Sequence, residues 1–242
     1  MNETSETAVT PQHSWINRIQ ATFEILLLSG LVSSFIAAFP FYRKLDAGGF
    51  PLNNLYLLCS YVLLEAAITL GLLFLVMRAH GERITDLGFR THVWKLDLLL
   101  GLALVPALFL INGVIALAFQ TYLPKHFSSH NPLLETIHNR QQLGLFVFSV
   151  LVAGGFKEEL QRAFILTRFR QYLGGAWLGL FLWSIAFGAA HYVQGWQGIA
   201  AAGLFGFIFG AVYLARGSLL APMVAHGVYD SFVLLGYWMF RS

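Results

Sequence analysis

The sequence predicts an all-α protein: a polytopic membrane helix bundle of about 7 transmembrane helices, within a range of about 6 to 8. The first observation behind this class is composition, since 57% of the 242 residues are hydrophobic and only 11% are charged. Soluble domains carry about 25% charged residues. The second is that several windows of about 20 residues are largely apolar, which is the length of a membrane-spanning helix. The third is that these windows lack the polar–apolar alternation of membrane β-strands.

Seven apolar windows are candidates for spanning helices. They cover residues 21–39, 55–77, 96–119, 143–169, 175–191, 198–215 and 219–240. Pro106 is expected to kink the third window, which neighbouring helices tolerate in a bilayer. Glycines spaced four apart, Gly175 with Gly179 and Gly206 with Gly210, indicate faces on which helices pack closely. Because these windows cover most of the chain, we expect residues 1–242 to form a single membrane domain.

The remaining segments are polar. Residues 1–18 are predicted to be a polar N-terminal tail ahead of a retained first span, because their first fourteen residues include no lysine or arginine and secretory signals begin with basic residues. Two polar connections, 78–95 and 121–142, are predicted to lie at the surface. The second connection contains three histidines, which we interpret as solvated loop residues rather than metal ligands: His126, His130 and His138.

Charge and cysteine usage argue against a nucleic-acid partner, a disulfide framework and a cysteine zinc cluster. The formal net charge of +3 is small and scattered, so no nucleic-acid partner is expected. A single cysteine, Cys59, excludes an internal disulfide framework and a cysteine zinc cluster. The expected partners are the lipid bilayer and a peptide or protein substrate at the membrane.

Four ionisable residues stand together inside the fourth window: Lys157, Glu158, Glu159 and Arg162. A charge at the centre of a spanning helix costs about 2.5–3.5 kcal/mol on insertion scales, so such residues are usually paired and functional. Arg162 follows the two glutamates by four and three residues and can neutralise one of them on the same helical face. The other carboxylate is then available for a second role.

Two later windows contribute polar pairs at helical spacing, Phe187 with His191 and His226 with Asp230. With a rise of 1.5 Å per residue, Glu158 lies roughly 18 Å and His191 roughly 24 Å from one end of their helices. His226 and Asp230 lie about 10–17 Å from the corresponding end of theirs. These ends face the same side in the predicted topology. We therefore expect the groups to converge in one layer.

One carboxylate and two imidazoles in a dry cavity suit the activation of a water molecule for attack on an amide. The histidines would orient the water or stabilise an oxyanion. Two histidines and a glutamate are also a common catalytic zinc set, and the sequence leaves the two versions open. It contains no His-Glu-x-x-His motif, no Gly-x-Ser-x-Gly elbow and no phosphate-binding glycine loop.

With these residues in order, the chain resembles the CPBP family of intramembrane proteases, which includes type II CAAX prenyl endopeptidases and bacteriocin-processing and self-immunity proteins. Three motifs carry the resemblance: the glutamate pair followed by Arg162, Phe-x-x-x-His ending at His191, and His-x-x-x-Asn/Asp ending at Asp230. The resemblance is strongest over residues 154–230. The sequence departs from the family at two points, because two residues rather than three separate the glutamates from the arginine, and because Asp230 stands where many members carry asparagine.

The resemblance implies a role for each matching residue. Aligned on the glutamate pair, Glu158 would be the general base and Glu159 the partner of Arg162. The histidines, His191 and His226, would bind the water, an oxyanion or a metal. The catalytic set would thus be Glu158, Glu159, His191, His226 and Asp230, supported by Arg162 and Phe187, and any zinc would be held by Glu158, His191 and His226.

The predicted function is a membrane-embedded endopeptidase, in a multi-pass protein of the bacterial inner membrane. The first alternative is a non-proteolytic immunity or binding protein on the same scaffold. The second is a small transporter with a proton relay through Glu65, Glu158 and histidines, which would require broken helices and internal repeats.

Overall fold

A computed structural model describes residues 15–43, 52, 54–89 and 94–241. The regular structure in these ranges is helical throughout, so the predicted all-α class is confirmed. Residues 1–14 of the predicted polar tail lie outside the described ranges. Helix α1 begins at Trp15, three residues before the predicted end of that tail.

Ten α-helices are numbered here in chain order over the described ranges. They are α1 (Trp15–Leu28), α2 (Leu31–Ala38), α3 (Leu55–Ala79), α4 (Trp94–Tyr122), α5 (Pro132–Glu135), α6 (Arg140–Val150), α7 (Glu159–Tyr172), α8 (Ala176–Ala190), α9 (Gly195–Arg216) and α10 (Leu220–Phe240). A π-helical stretch, Leu151–Glu158, joins α6 to α7 and is called the π segment.

Four helical stretches in the described part of the chain are long and apolar enough to cross a membrane. They are Trp15–Phe41, Leu55–Ala79, Trp94–Tyr122 and Tyr192–Arg216. Helix α8 is apolar but shorter. Helix α10 is also long, and its polar residues, among them His226 and Asp230, lower its mean hydropathy. The count of seven spans therefore stays a prediction.

The distribution of side chains suits a lipid environment. Large apolar side chains such as Leu110, Val114 and Leu117 of α4 are exposed on the outside of the bundle. Helix α7 lies in the middle of the bundle, where all its residues from Glu159 to Leu166 are buried. Charges therefore lie inside and apolar groups outside, which is the pattern of an integral membrane protein.

Buried charges at the ends of the helices are paired. Arg168 of α7 lies 2.6 Å from Glu24 of α1 and 2.7 Å from Glu82 in the connection after α3. Arg216 at the end of α9 lies 2.9 Å from Asp97 in the first turn of α4. Such pairing offsets the cost of removing these groups from water.

The first predicted span is broken rather than continuous. Gly30 separates α1 from α2 with a φ of 94°, in the left-handed region that glycine adopts readily. The break leaves the Leu28 carbonyl without a helical partner, and the Gln161 side chain donates a hydrogen bond to it. Irregular backbone at membrane depth requires such a partner from the protein. Broken helices are also required by the transporter alternative, so this break does not separate the two functions.

The fourth predicted window is not one regular helix either. It consists of α6, the π segment and α7. Gly154 and Gly155 of the π segment face α10, where a Cβ on Gly154 would lie 2.9 Å from Asp230 Oδ2 and one on Gly155 would lie 3.1 Å from Gly227 Cα. The two glycines thus allow α10 to approach. π segments of this kind occur frequently at functional sites.

The predicted packing role of glycine pairs is confirmed at three of four positions. A Cβ on Gly179 would lie 2.5 Å from the Phe169 ring. Gly206 faces Phe187, and a Cβ on Gly210 would lie 2.3 Å from Leu180. Gly175 was predicted wrongly, because a Cβ there would meet nothing within 4 Å.

The polar connection after α4 lies partly at the surface. It contains the short helix α5, and Gln197 of α9 donates a 2.8 Å hydrogen bond to the Ser128 carbonyl. Of its three histidines, His126 packs against Trp196 and His130 lies 2.9 Å from Glu135. The connection before α4 contains a short 3₁₀ helix at Ile84–Leu87, within the segment predicted to form a surface turn.

Candidate functional site

Four of the predicted site residues, Glu158, Glu159, His226 and Asp230, meet where the end of the π segment and the start of α7 face α10. Glu158 ends the π segment and Glu159 begins α7. His226 lies opposite both on α10, with Nε2 3.8 Å from Glu158 Oε2 and Nδ1 2.8 Å from Glu159 Oε1. The predicted convergence of these groups is therefore present in the structure.

The two glutamates occupy different environments. The Glu159 side chain is only 1% exposed, forms an ion pair with Arg162 and contacts His226 Nδ1. An ionised carboxylate only accepts hydrogen bonds, so Nδ1 is the donor in that contact. The Glu158 side chain is 20% exposed and makes no direct hydrogen bond to His226 at 3.8 Å. Glu159 is thus committed to internal contacts, whereas Glu158 remains accessible.

Arg162 is fully buried and lies among aromatic rings. Its guanidinium carbon is 4.9 Å from the centre of the Phe187 ring and 5.7 Å from that of Phe209. A Cβ on Gly210 would lie 3.3 Å from Arg162 Cδ, so this glycine makes room for the arginine. Cation–π contacts and the Glu159 ion pair together compensate for its loss of hydration.

His226 is held on both faces and at one nitrogen. The Phe209 ring stacks on it at a centroid distance of 4.8 Å, and Phe187 meets it edge-on at 6.3 Å. With Nδ1 bound to Glu159, the other nitrogen, Nε2, points between Glu158 and Asp230, whose Oδ2 is 3.5 Å away. The sequence contained no signal for Phe209, because an aromatic residue in an apolar window is not distinctive.

His191 lies next to this group rather than within it. Its Nδ1 is 2.7 Å from the Phe187 carbonyl, which can only accept, so Nδ1 carries the proton and neutral His191 has its lone pair on Nε2. Its ring lies 4.6 Å from the Phe187 ring. In the described part of the chain no ion pair joins His191 to Glu158. The Phe187 ring thus lies beside both histidines, with centroid distances of 4.6 Å to His191 and 6.3 Å to His226.

The zinc set proposed from the resemblance, with Glu158, His191 and His226 as ligands, can be tested against this geometry. A zinc site brings its ligand atoms to about 2 Å from one point. Across the described ranges, no three histidine, cysteine, aspartate or glutamate side chains form a group that could hold a metal ion. In the described ranges these side chains therefore do not form a preorganised zinc site, and a bound metal stays a prediction.

A second buried polar group adjoins Glu158. Lys157 Nζ lies 2.8 Å from Glu65 Oε2 of α3 and 3.9 Å from Glu158 Oε1. The pair of Lys157 with Glu65 was not predicted from the sequence. The available signal was that each is an ionisable residue inside an apolar window, and such residues tend to pair.

An apolar groove of about 270 Å³ adjoins the site on its outer side. It runs between the π segment and α10 and is lined by Leu151, Gly155, Phe156, Met223, Val224, Gly227 and Val228. Two of its lining residues, Gly155 and Gly227, are chain neighbours of Gly154 and His226.

A comparison with protein families agrees with the geometry. Residues 139–232 match the model of the family described as type II CAAX prenyl endopeptidase Rce1-like. The matched range contains all seven predicted site residues, from Glu158 to Asp230. Searches of curated proteins and of solved structures found no match. Over residues 139–232 the chain is therefore similar to the type II CAAX prenyl endopeptidase Rce1-like family, and its described helices include four that are long and apolar enough to cross a membrane.

Proposed function

We propose that the protein is a membrane-embedded endopeptidase in which Glu158 is the general base. The observation that carries this proposal is the difference between the two glutamates: Glu159 is enclosed by Arg162 and His226, whereas Glu158 is accessible and faces His226 Nε2. A general base must reach both its water and the substrate, which a side chain 1% exposed does not.

The reaction then follows from these contacts. The Glu158 carboxylate takes a proton from water, the resulting hydroxide forms a bond to the peptide carbonyl carbon, and a tetrahedral oxyanion results. Protonated His226 donates from Nε2 to that oxyanion, while Glu159 holds Nδ1. Glu158 passes its proton to the leaving nitrogen, and the C–N bond breaks to give a carboxylic acid and an amine.

His191 and Asp230 have supporting roles in this proposal. Neutral His191 presents the Nε2 lone pair, which accepts a hydrogen bond from the attacking water. Asp230 would repel an oxyanion, so we assign it to orienting His226, whose Nε2 lies 3.5 Å from Asp230 Oδ2. Arg162 and Phe187 keep Glu159 and His226 in place.

The apolar groove gives the substrate a place beside these groups. We propose that an apolar part of the peptide substrate lies there, because the lining of the groove is apolar and two of its residues, Gly155 and Gly227, are chain neighbours of Gly154 and His226. Removing apolar surface from water is favourable by about 25 cal/mol per Å². Location in the bacterial inner membrane stays a prediction.

Purified protein in nanodiscs tests the proposal against a peptide library that includes prenylated CAAX sequences, with products identified by mass spectrometry. Glu158→Gln is expected to lower kcat/KM by about 10²–10⁴-fold without changing thermal stability. Glu135→Gln, in an exposed part of the connection after α4, is the matched control and is expected to behave as the unmodified protein. Cleavage by Glu158→Gln at the unmodified rate would favour the non-proteolytic alternative.

A further inference from the structure

Lys157 is a buried lysine whose ammonium group is fixed from two other helices. Its side chain is 8% exposed and its Nζ lies 2.8 Å from Glu65 Oε2. The other oxygen of Glu65 accepts hydrogen bonds from Ser33 of α2 at 2.7 Å and from Thr69 of α3 at 2.9 Å. The hydroxyl oxygens of Thr69 and Ser33 lie 2.8 Å apart. The position of the ammonium group is therefore set by a network that does not include the groups around His226.

The Glu158 carboxylate lies between this ammonium group and His226. Its Oε1 is 3.9 Å from Lys157 Nζ, and its Oε2 is 3.8 Å from His226 Nε2. Consecutive residues of an α-helix do not face each other. Here the two residues end the π segment, and their charged groups nevertheless come within ion-pair distance.

Stability alone does not explain why the ion pair of Lys157 and Glu65 is present at this depth in the bundle. Buried ion pairs contribute little net stability and can often be replaced by apolar residues without loss. Each charge retained at membrane depth usually serves a function. The function available to Lys157 is at the carboxylate next to it, because Glu65 and Glu158 are the acids within 4 Å of its Nζ in the described ranges.

We propose that Lys157 is a positioning residue that directs the Glu158 carboxylate towards His226, with Glu65 as the anchor that fixes Lys157. This inference rests on the proposed role of Glu158 as general base. The ammonium group attracts Oε1, which leaves Oε2 facing Nε2 of His226. Without this attraction, Glu158 would adopt other rotamers in its partly exposed position.

The test uses the double variant Glu65→Leu/Lys157→Met, which removes both charges and leaves neither unpaired. We expect its melting temperature to stay near that of the unmodified protein. We expect kcat to fall by about 10²-fold, as for a catalytic group misplaced by 1 Å, with KM within about twofold. Lys157→Arg, which keeps the positive charge, should retain kcat within about fivefold of the unmodified protein, since one altered hydrogen bond changes the free energy by about 1 kcal/mol.

The outcomes separate this inference from the proposed function. A double variant that folds and has unmodified kcat overturns the positioning role, provided that Glu158→Gln is inactive. Cleavage by Glu158→Gln would instead overturn the proposed function. If the double variant does not fold, Thr69→Val removes one hydroxyl that anchors Glu65. It is expected to lower kcat by about two- to tenfold, the effect of one hydrogen bond. An unchanged kcat in that variant overturns the inference.

Discussion

Removal of the Arg162 guanidinium is expected to destabilise the bundle because it leaves Glu159 as an unpaired buried carboxylate. Both side chains are only 1% exposed, and they form an ion pair within one turn of α7. Breaking such a pair on one side costs about 3–5 kcal/mol. For a chain of this length, 1 kcal/mol shifts the melting temperature by about 2–4 °C, so Arg162→Leu should lower it by roughly 6–20 °C.

The double variant Glu159→Leu/Arg162→Leu provides the comparison that isolates the charge. It removes both charges, so we expect most of the lost thermal stability to return. It should remain inactive, because His226 Nδ1 loses its acceptor. Arg78→Leu is the matched control, since Arg78 is exposed in the last turn of α3, and its effect should stay within about 0.5 kcal/mol.

Thermal unfolding in detergent, followed by tryptophan fluorescence, measures these differences. Equal melting temperatures for Arg162→Leu and for the double variant would refute the reasoning. In that case the loss would come from the missing cation–π contacts with Phe187 and Phe209 rather than from an unpaired carboxylate.

Three further predictions concern the π segment, the groove and the helix break. Gly154→Ala places a methyl group 2.9 Å from Asp230 Oδ2 and should lower kcat by about 10- to 100-fold. Gly144→Ala, whose methyl group would meet nothing within 4 Å, should leave kcat unchanged. Steady-state cleavage assays compare the two variants, and equal kcat values would contradict the site geometry. Val228→Trp fills the apolar groove and should raise KM about tenfold. Leu235→Trp, on an exposed part of α10, should leave KM unchanged. Equal KM values for the two variants would exclude the groove as a substrate site. Gln161→Leu removes the donor to the Leu28 carbonyl and should lower the free energy of unfolding by about 1–3 kcal/mol. The control Gln141→Leu, at an exposed position, should lower it by about 0.5 kcal/mol or less. Thermal unfolding measures both variants, and equal values would show that the helix break at Gly30 needs no side-chain donor.

Hydropathy predicted the bounds of two helices to within one residue, because each helix is one continuous and largely apolar stretch. Helix α8 was predicted at 175–191 and lies at Ala176–Ala190, and helix α10 was predicted at 219–240 and lies at Leu220–Phe240. The break at Gly30 and the π segment were not predicted. Both depend on contacts with side chains distant in the chain, Gln161 in one case and His226 and Asp230 in the other.

The sequence drew attention to the residues of the candidate site but did not predict the contacts among them. Ionisable groups in apolar windows drew attention to Glu158, His191, His226 and Asp230, because each is costly at membrane depth. The different environments of Glu158 and Glu159 depend on where α10 and the aromatic rings of α8 and α9 pack, which helical spacing does not specify. Phe209, which stacks on His226 and lies beside Arg162, is one of the residues that helical spacing did not identify.

The central claim is that Glu158, and not Glu159, is the general base. The most direct measurement is the single-turnover cleavage rate of Glu158→Gln at saturating peptide, with circular dichroism and melting temperature confirming the fold. We expect a rate lower by about 10²–10⁴-fold at an unchanged melting temperature. A Glu158→Gln variant that folds and cleaves at the unmodified rate would contradict the claim.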